Sequence, residues 1–177
     1  MNHERLYMIE PKPGFTPQMG RLVSMMEYVR WSTLEAVKEL RVEQLDFLLD
    51  EKSNSIGAIL KHIAAVEFVF YLRTIEKRGM TEEERTEWGS ALELGARGQN
   101  EIKGNSLDYY TDVLNKVREK TFKAFSELTD EWLEQSVPEP RYGNRLVNYY
   151  YRWFHVFEDE LNHRGQIRLI RKRILEG

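Results

Sequence analysis

The sequence predicts an all-α protein built as a four-helix bundle. Four long segments repeat apolar residues at helical spacing, and capping residues, prolines and glycines separate these segments. No segment shows a convincing alternation of apolar and polar residues, which is the pattern of a half-buried strand. Four long helices joined by loops favour a bundle, and a length of 177 residues suggests a single domain over residues 1–177.

An extended arm and a first helix are predicted at the N-terminus. Residues 1–15 contain prolines and a glycine, which oppose helix formation, so we expect an extended N-terminal arm. Thr16 is a suitable N-cap residue, and Pro17 suits the first position of a helix. The first helix is therefore predicted near residues 17–40.

A second long helix and a shorter one are predicted in the middle of the chain. Serine and asparagine side chains that can cap a helix precede the second helix, which is predicted at residues 55–78 and ends before Gly79. Thr81 and Glu84 have the spacing of a capping box, in which each side chain binds the other residue's backbone N–H. That box predicts a shorter, weaker helix at residues 82–94.

The third and fourth helices each follow a segment that is rich in helix-breaking residues. The stretch GARGQNEIKGN is predicted to be a loop, and the third helix then covers residues 107–127 after Ser106. The stretch VPEPRYGN interrupts the helical pattern with two prolines and a glycine. The fourth helix is predicted at residues 145–175.

Composition and charge exclude several classes of function. A net charge of -3 gives no electrostatic basis for binding nucleic acid or an anionic membrane, and neither partner is expected. Because the chain has no cysteine, disulfides, thiolate nucleophiles and cysteine metal ligands are excluded. The N-terminus lacks the apolar segment of a secretory signal, and no apolar run is long enough to span a bilayer. We therefore expect a cytoplasmic protein.

The predicted fourth helix carries two histidines and an aspartate among apolar side chains. His155, Asp159 and His163 follow one another at four-residue intervals, so neighbouring members differ by about 40° around the helix axis. Ile170 and Ile174 fall on the same broad sector of the helix. A carboxylate turned toward an apolar core is costly unless it is paired or coordinated. The pattern is compatible with half of a metal site and also with a solvated or salt-bridged polar stripe.

A further histidine, His62, lies in the apolar segment IGAILKHIAAVEFVF of the predicted second helix. A lone histidine there is typical of a hydrogen-bonded core residue as well as of a ligand. Because bundles assemble sites from facing helices, His62, Asp159 and His163 together would supply three metal ligands and leave coordination positions open. Two imidazoles and one carboxylate suit Zn, Ni or Fe(II), and Zn and Ni are favoured here over Mg. His155 is expected to add a ligand or to hydrogen-bond Asp159, and His3 is expected to be a spectator.

Two motifs carry a resemblance to a known family: SIGAILKHIAAVEF in the second predicted helix and HVFEDELNHRGQI in the fourth. Over most of its length the sequence resembles the DinB/YfiT-like superfamily of metal-binding four-helix-bundle proteins. The resemblance implies an up-down-down-up bundle, a homodimer, and a divalent metal near one end of the bundle. It also implies that His62 is the family's early metal histidine. Asp159 and His163 hold positions where the family usually has histidines, so Asp159 is a departure from its pattern.

Two classes of function remain open. Some members of the superfamily transfer low-molecular-weight thiols, so the first hypothesis is a metal-dependent enzyme, a thiol-dependent transferase or a hydrolase, that acts on a small molecule. With no cysteine in the chain, the thiol has to arrive as a cosubstrate. Glu67, Glu158 and Glu160 lie near the candidate ligands in sequence, but helical phase assigns none of them as a general base. The alternative is a non-catalytic metal-binding protein or a stress-related interaction protein, a homodimer that buries part of the aromatic stretch NYYYRWFHVF.

Overall fold

The computed structural model describes residues 6–176, and it confirms the all-α class. His3 and the first five residues of the predicted arm lie outside the described residues. The regular elements are α1 (Pro17–Val37), α2 (Val42–Leu45), α3 (Ile56–Tyr71), a π-helical segment (Leu72–Glu76), α4 (Glu82–Glu93), α5 (Gly95–Glu101), α6 (Leu107–Phe125), α7 (Asp130–Glu134), β1 (Ser136–Glu139), a 3-10 turn (Pro140–Tyr142), β2 (Arg145–Asn148) and α8 (Tyr149–Glu176).

The four long helices, α1, α3, α6 and α8, form the bundle. Helix α1 packs against α6 and α8, and α3 packs against the same two helices. The order around the bundle is therefore α1, α8, α3, α6, with α1 diagonally opposite α3. This arrangement lets α3 and α8, which carry the predicted ligands, face each other directly.

Side-chain contacts establish the directions of these helices. Arg30 of α1 binds Glu160 of α8, and Arg171, farther along α8, binds the carbonyl of Glu35, so α1 and α8 run parallel. On α3, His62 lies beside His163, whereas the later Phe70 lies beside the earlier His155, so α3 runs antiparallel to α8.

The remaining direction follows from the contacts of α6. Gly57 adjoins Tyr110 near the beginnings of α3 and α6, and Glu67 binds Arg118 one to two turns before the two helices end. Helices α3 and α6 therefore run parallel. The topology is up-down-down-up, as the family resemblance implies.

Four charged side chains, one from each long helix, meet inside the bundle. Arg30 Nε donates to Glu160 Oε1 at 2.9 Å, and Arg118 Nη2 donates to Glu160 Oε2 at 3.0 Å. Arg118 Nε contacts both Glu67 oxygens, at 2.8 and 3.0 Å. All four side chains are at most 8% exposed. A buried charge is tolerated only when it is paired. Each of these four charges has its partners on other helices, so this buried ion network links all four helices.

Two apolar clusters lie on either side of the buried ion network. One contains the later part of α1, the beginnings of α3 and α6, and the C-terminal part of α8, with Tyr110 and Ile167 fully buried. The other contains the beginnings of α1 and α8 and the ends of α3 and α6, with Phe125 and Trp153 fully buried. Each large apolar side chain contributes about 1.5–3 kcal/mol when it is fully buried. Apolar packing therefore holds both ends of the bundle, and charges hold its middle.

Capping residues begin the helices where the sequence predicts. The Ser55 hydroxyl accepts a hydrogen bond from the Ala58 backbone N–H at 3.1 Å at the start of α3. Thr81 and Glu84 form the predicted capping box at the start of α4. The Ser106 hydroxyl caps α6 in the same way. These interactions satisfy backbone donors that have no partner in the first turn of a helix.

Helix α1 receives its cap from a residue distant in sequence. Thr16 and Pro17 occupy the predicted N-cap and first helical positions, but the Thr16 side chain does not cap the helix. Instead, the Asp130 carboxylate accepts hydrogen bonds from the backbone N–H groups of Gln18 and Met19, at 3.0–3.1 Å and 3.0 Å. A carboxylate at this end also interacts favourably with the helix dipole. Asp130 therefore connects α7 to the start of α1.

The expectation of no strand was wrong for one short hairpin. Strand β2, Arg145–Asn148, pairs antiparallel with β1, Ser136–Glu139, so α8 begins at Tyr149 rather than near residue 145. Gly143 and Asn144, the last two residues of the five-residue connection between the strands, both have positive φ angles, which glycine and asparagine adopt more readily than most residues. Four-residue strands are too short to show a clear period-two pattern, which explains why the hairpin was missed.

The other differences from the sequence predictions concern short helices and helix ends. Helices α2 and α7 were not predicted, and α1 and α6 end two or three residues before their predicted ends at 40 and 127. The stretch predicted to be a loop contains α5, Gly95–Glu101, which was missed because its two glycines disfavour a helix. The second long helix changes at Leu72 into the π-helical segment and ends at Lys77, which has a φ of 55°, before reaching Gly79. The π-helical segment adjoins the candidate site described below.

Candidate metal centre

The three predicted ligands, His62, Asp159 and His163, come together between α3 and α8. His62 Nε2 lies 3.8 Å from Asp159 Oδ2, and His163 Nε2 lies 3.7 Å from the same oxygen. One potential ligand atom from each residue lies within 4.8 Å of the other two. Asp159 and His163 are one helical turn apart on α8, and the antiparallel packing of α3 places His62 opposite them.

Hydrogen bonds leave one nitrogen of each imidazole directed at the group. His62 Nδ1 is 2.7 Å from the carbonyl oxygen of Ala91 in α4, so Nδ1 carries the hydrogen. His163 Nδ1 is 3.2 Å from Gln166 Oε1, to which it donates in the same way. In neutral histidine the other nitrogen, Nε2, then has a free lone pair. Both Nε2 atoms are therefore available as ligands, and their rings are oriented by neighbouring groups.

Asp159 supplies a buried oxygen without a hydrogen bond. Its Oδ2 atom is shielded from solvent and has no hydrogen-bond partner within residues 6–176. A buried polar atom that lacks a partner is costly, and such atoms are uncommon in folded proteins. The two imidazole nitrogens nearest this oxygen present lone pairs rather than hydrogens. A cation between the three groups would satisfy all of them.

Burial favours the neutral, ligand-competent form of His62. Burial lowers the pKa of this imidazole, and the charge of His163 acts in the same direction. The hydrogen bond to Ala91 and the charge of Asp159 raise the pKa, but the net result is a pKa below the ordinary value of 6.5. A metal binds the unprotonated imidazole, so this shift reduces competition from protons.

His155 lines the same cavity without joining the three-residue group. Its Nδ1 atom lies 3.1 Å from Glu158 Oε2, and its ring packs near Phe70, with centroids 5.8 Å apart. The group of three ligand atoms does not include His155. Whether His155 assists metal binding stays a prediction, and in the structure its described hydrogen bond is to Glu158.

The site opens into a cavity of about 370 Å³. Its walls include His62 and Asp159 at one side and apolar side chains from α3 and α4 around them. A second cavity of about 530 Å³ adjoins it, and Arg73 and Arg141 line both. Sequence reasoning missed these arginines, because the hairpin and the π-helical segment that carry them were not predicted.

The geometry and the donor set fit a borderline divalent ion. An ion with bonds near 2 Å holds its ligand atoms about 3–4 Å apart, and the two distances to Asp159 Oδ2 lie in that range. Two imidazole nitrogens and one carboxylate oxygen suit Zn, Ni or Fe(II) better than Mg, which prefers oxygen ligands. An ion held by only these three protein ligands would keep at least one coordination position open for a small molecule, whereas a closed structural zinc site has four protein ligands.

Comparison with solved structures supports the fold. A conserved protein from Enterococcus faecalis superimposes with a TM-score of 0.70 at 12% identity, covering 88% of this chain and 96% of its own. A protein from Streptococcus pneumoniae superimposes with a TM-score of 0.64 at 16% identity, covering 96% of this chain and 97% of its own. At these identities the similarity shows the fold alone.

Sequence comparison identifies the family. No curated protein matches the chain. None of the helices within residues 6–176 is both long enough and apolar enough to cross a membrane. The sequence model of a family described as mycothiol-S-transferase matches residues 21–175, which include the four bundle helices except for the first four residues of α1 and the last residue of α8. The chain therefore belongs to the mycothiol-S-transferase family, a DinB/YfiT-like family.

Proposed function

We propose that this protein is a metal-dependent transferase that joins a low-molecular-weight thiol to an electrophilic small molecule. The observation that carries the proposal is the buried Asp159 Oδ2, which has no hydrogen bond from the described residues and lies 3.8 and 3.7 Å from two imidazole nitrogens. His62, Asp159 and His163 are the proposed ligands, and Zn or Ni is the proposed ion.

The thiol is supplied as a cosubstrate. The family name points to mycothiol, and the chain contains no cysteine that could provide sulfur instead. In the transfer, the thiol sulfur forms a bond to the electrophilic carbon, and the bond from that carbon to its leaving group breaks. The leaving group takes the electron pair, and the thiol proton passes to solvent water.

Side chains of this protein hold and orient the reacting groups. When bound, a divalent ion supplies Lewis acidity, which lowers the pKa of a coordinated thiol toward neutrality. The Ala91 carbonyl and the Gln166 side chain accept hydrogen bonds from Nδ1 of His62 and of His163 and so orient the two imidazoles. The apolar side chains of Val69, Phe70 and Leu92 line the cavity beside the ligands and offer an apolar surface to a bound substrate.

Metal analysis and thiol transfer test this proposal together. Protein purified without chelators, or reloaded with Zn or Ni, should contain about one ion per chain and transfer a thiol to an alkylating electrophile, detected as the thioether by mass spectrometry. The double variant His62→Ala/His163→Ala should lose both metal and transfer. His3→Ala, which removes a histidine that is not a proposed ligand, should keep both. Equal metal content in the double variant and the wild type would refute the ligand assignment.

A homodimer is proposed as the assembled form. Tyr142, Leu146, Tyr151 and Phe154 are apolar side chains of the hairpin and the start of α8 that are 36–71% exposed in the single chain. Exposed apolar groups that are close together favour a protein–protein interface. Sedimentation at micromolar concentration should give about twice the monomer mass.

If the protein dimerises and binds metal but transfers no thiol to any electrophile tested, the non-catalytic alternative is favoured.

A further inference from the structure

The cavity that adjoins the candidate metal centre is rich in arginine. It has a volume of about 530 Å³ and is formed by the end of α3, the π-helical segment, the hairpin and α8. Arg73, Arg141 and Arg152 line it, together with a single acidic residue, Glu139. Arg73 and Arg141 also line the cavity of His62 and Asp159. A molecule bound beside the candidate ligands can therefore reach these two guanidinium groups.

Glu139 does not neutralise all of this positive charge. Its carboxylate binds Arg141 and Arg152, each at 3.2 Å. Burial alone would raise the pKa of Glu139, but the hydrogen bonds and the charge of Arg141 together with the charge of Arg152 hold it below its ordinary value, so the group stays ionised. One carboxylate therefore stands among three guanidinium groups.

Two guanidinium groups have donors that no described residue binds. Arg73 is exposed at the wall of both cavities, and its guanidinium makes no ion pair or hydrogen bond within the part of the chain that the structure describes, so its donors face solvent and are free to bind a ligand. Arg152 Nε is shielded from solvent and also has no hydrogen-bond partner among the described residues. Guanidinium donors in a concave, partly apolar site match the oxygens of carboxylate and phosphate groups.

The backbone at Arg73 is irregular. The α-helix of α3 changes into the π-helical segment at Leu72, so Arg73 is the second residue of that segment. The next residue, Thr74, is buried, lines the arginine-rich cavity and donates its hydroxyl to the carbonyl of Phe70 at 2.7 Å. Single π-helical turns are rare and occur often at functional sites, where they change the direction in which side chains project.

We propose that Arg73 and Arg141 bind a carboxylate or phosphate group of a substrate whose reactive atom lies beside His62, Asp159 and His163. This inference rests on the proposed function, since it assigns the chemical class of one substrate of the same site. Phe70, at the boundary of the two cavities, contacts the apolar part of that substrate. The acidic group belongs either to the thiol or to the electrophile. These two cases predict different relative affinities for the probe compounds described next.

Matched pairs of acids and alcohols test the proposal by calorimetry. The probes are 6-mercaptohexanoate against 6-mercaptohexanol, and hexanoate against hexanol, each titrated into metal-free and Zn-loaded protein. The acid of each pair should bind about tenfold more tightly than its alcohol, because charge-assisted hydrogen bonds form with only one of them. If the thiol carries the acidic group, 6-mercaptohexanoate binds more tightly than either 6-mercaptohexanol or hexanoate. If the electrophile carries it, hexanoate binds in the presence of saturating 2-mercaptoethanol.

Two variants and a control identify the arginines. The double variant Arg73→Gln/Arg141→Gln should bring the acid-to-alcohol ratio close to one. Arg73→Gln alone breaks no ion pair within residues 6–176, so it should fold normally and still lower the ratio. Arg168→Gln, which removes an exposed charge from α8 outside both cavities, should leave the ratio unchanged.

The outcomes separate this inference from the proposed function. An acid-to-alcohol ratio near one in the wild type, or the same ratio in Arg73→Gln as in the wild type, would overturn the anion site. If the ratio holds but Zn fails to raise the affinity for either mercapto compound, the arginine site stands and the metal-dependent thiol function falls.

Discussion

Replacing Glu160 by glutamine should destabilise the protein strongly. The Glu160 carboxylate is 1% exposed and binds Arg30 at 2.9 and 3.2 Å and Arg118 at 3.0 Å. Glutamine has nearly the same shape, but it carries no charge and replaces one accepting oxygen by an NH2 group that can only donate. Two buried guanidinium groups would then share one carboxylate, that of Glu67, and the buried ion network would carry a net positive charge.

The size of the effect follows from that uncompensated charge. Removing one partner of a buried ion pair costs about 3–5 kcal/mol in the free energy of unfolding, whereas an exposed pair contributes about 0–1 kcal/mol. For a chain of this length, a loss of about 3–5 kcal/mol corresponds to a fall of roughly 6–20 °C in Tm. Arg30 and Arg118 also donate to the carbonyls of Leu114 and Met26, so they cannot leave the core without losing those bonds.

Urea unfolding followed by circular dichroism measures this change. Glu119→Gln, which alters an exposed glutamate next to Arg118 in sequence, is the matched control and should change stability by less than about 0.5 kcal/mol. The double variant Arg30→Met/Glu160→Met should be less destabilised than the sum of its single variants, because it removes one charge of each sign. A loss for Glu160→Gln as small as that of the control would refute this account of the buried ion network.

The same carboxyl makes stability dependent on pH. Burial would raise the pKa of Glu160, but Arg30 and Arg118 outweigh it and hold the pKa below its ordinary value of 4.5. A folded-state pKa below the unfolded one contributes stability that is complete above the unfolded pKa and is lost as the pH falls through the folded pKa. The wild type should therefore lose stability below about pH 4.5, and Glu160→Gln should show a weaker loss over that range.

Substitutions at four further positions have defined outcomes. Asp159→His should raise the ratio of Zn to Mn affinity by about tenfold, because imidazole suits Zn and carboxylate suits Mn; an unchanged ratio in competitive metal titrations would contradict the assignment of residue 159 as a ligand. Asp130→Ala should lower the free energy of unfolding by about 1–2 kcal/mol through loss of the α1 cap, and Asp130→Asn should lower it less. In Gly57→Ala the new Cβ would lie 2.5 Å from the Tyr110 hydroxyl, so urea unfolding should show a loss of about 1–3 kcal/mol. Gly165→Ala, whose Cβ meets nothing within 4 Å, should instead stabilise α8 by about 0.5–1 kcal/mol, and a similar loss in both variants would rule out the steric explanation.

The long helices and their caps could be predicted because both depend on neighbouring residues. The Thr81–Glu84 capping box is complete within four residues, and Ser55 and Ser106 cap through the same short spacing. The pair Asp159 and His163 is equally local, since one helical turn brings the two side chains together. Adding His62 to that pair required more, namely the rule that bundle sites are built from facing helices and the resemblance of two motifs to a family.

Features that join distant segments could not be predicted in the same way. Arg30 meets Glu160 across 130 residues and Glu67 across 37, and no local pattern specifies either pairing. The sequence did carry a signal for one member of the network, because Glu67 is the only acidic residue of α3, a helix whose other residues are mostly apolar. The strands of the hairpin are too short to show a period-two pattern. Because the hairpin was not predicted, the position of Arg141 beside the candidate metal centre could not be predicted either.

The buried ion network explains how only two helices can hold three candidate ligands in position. Glu67 lies five residues after His62 on α3, and Glu160 directly follows Asp159 on α8. Arg118 binds both carboxylates, so the two ligand-bearing helices are tied to each other through one guanidinium group. A shift of α3 along α8 would break these buried bonds before it separated the imidazole of His62 from Asp159. The charges in the core therefore fix the spacing of the three candidate ligands that a shared metal ion would require, although none of these charges belongs to the candidate ligands themselves.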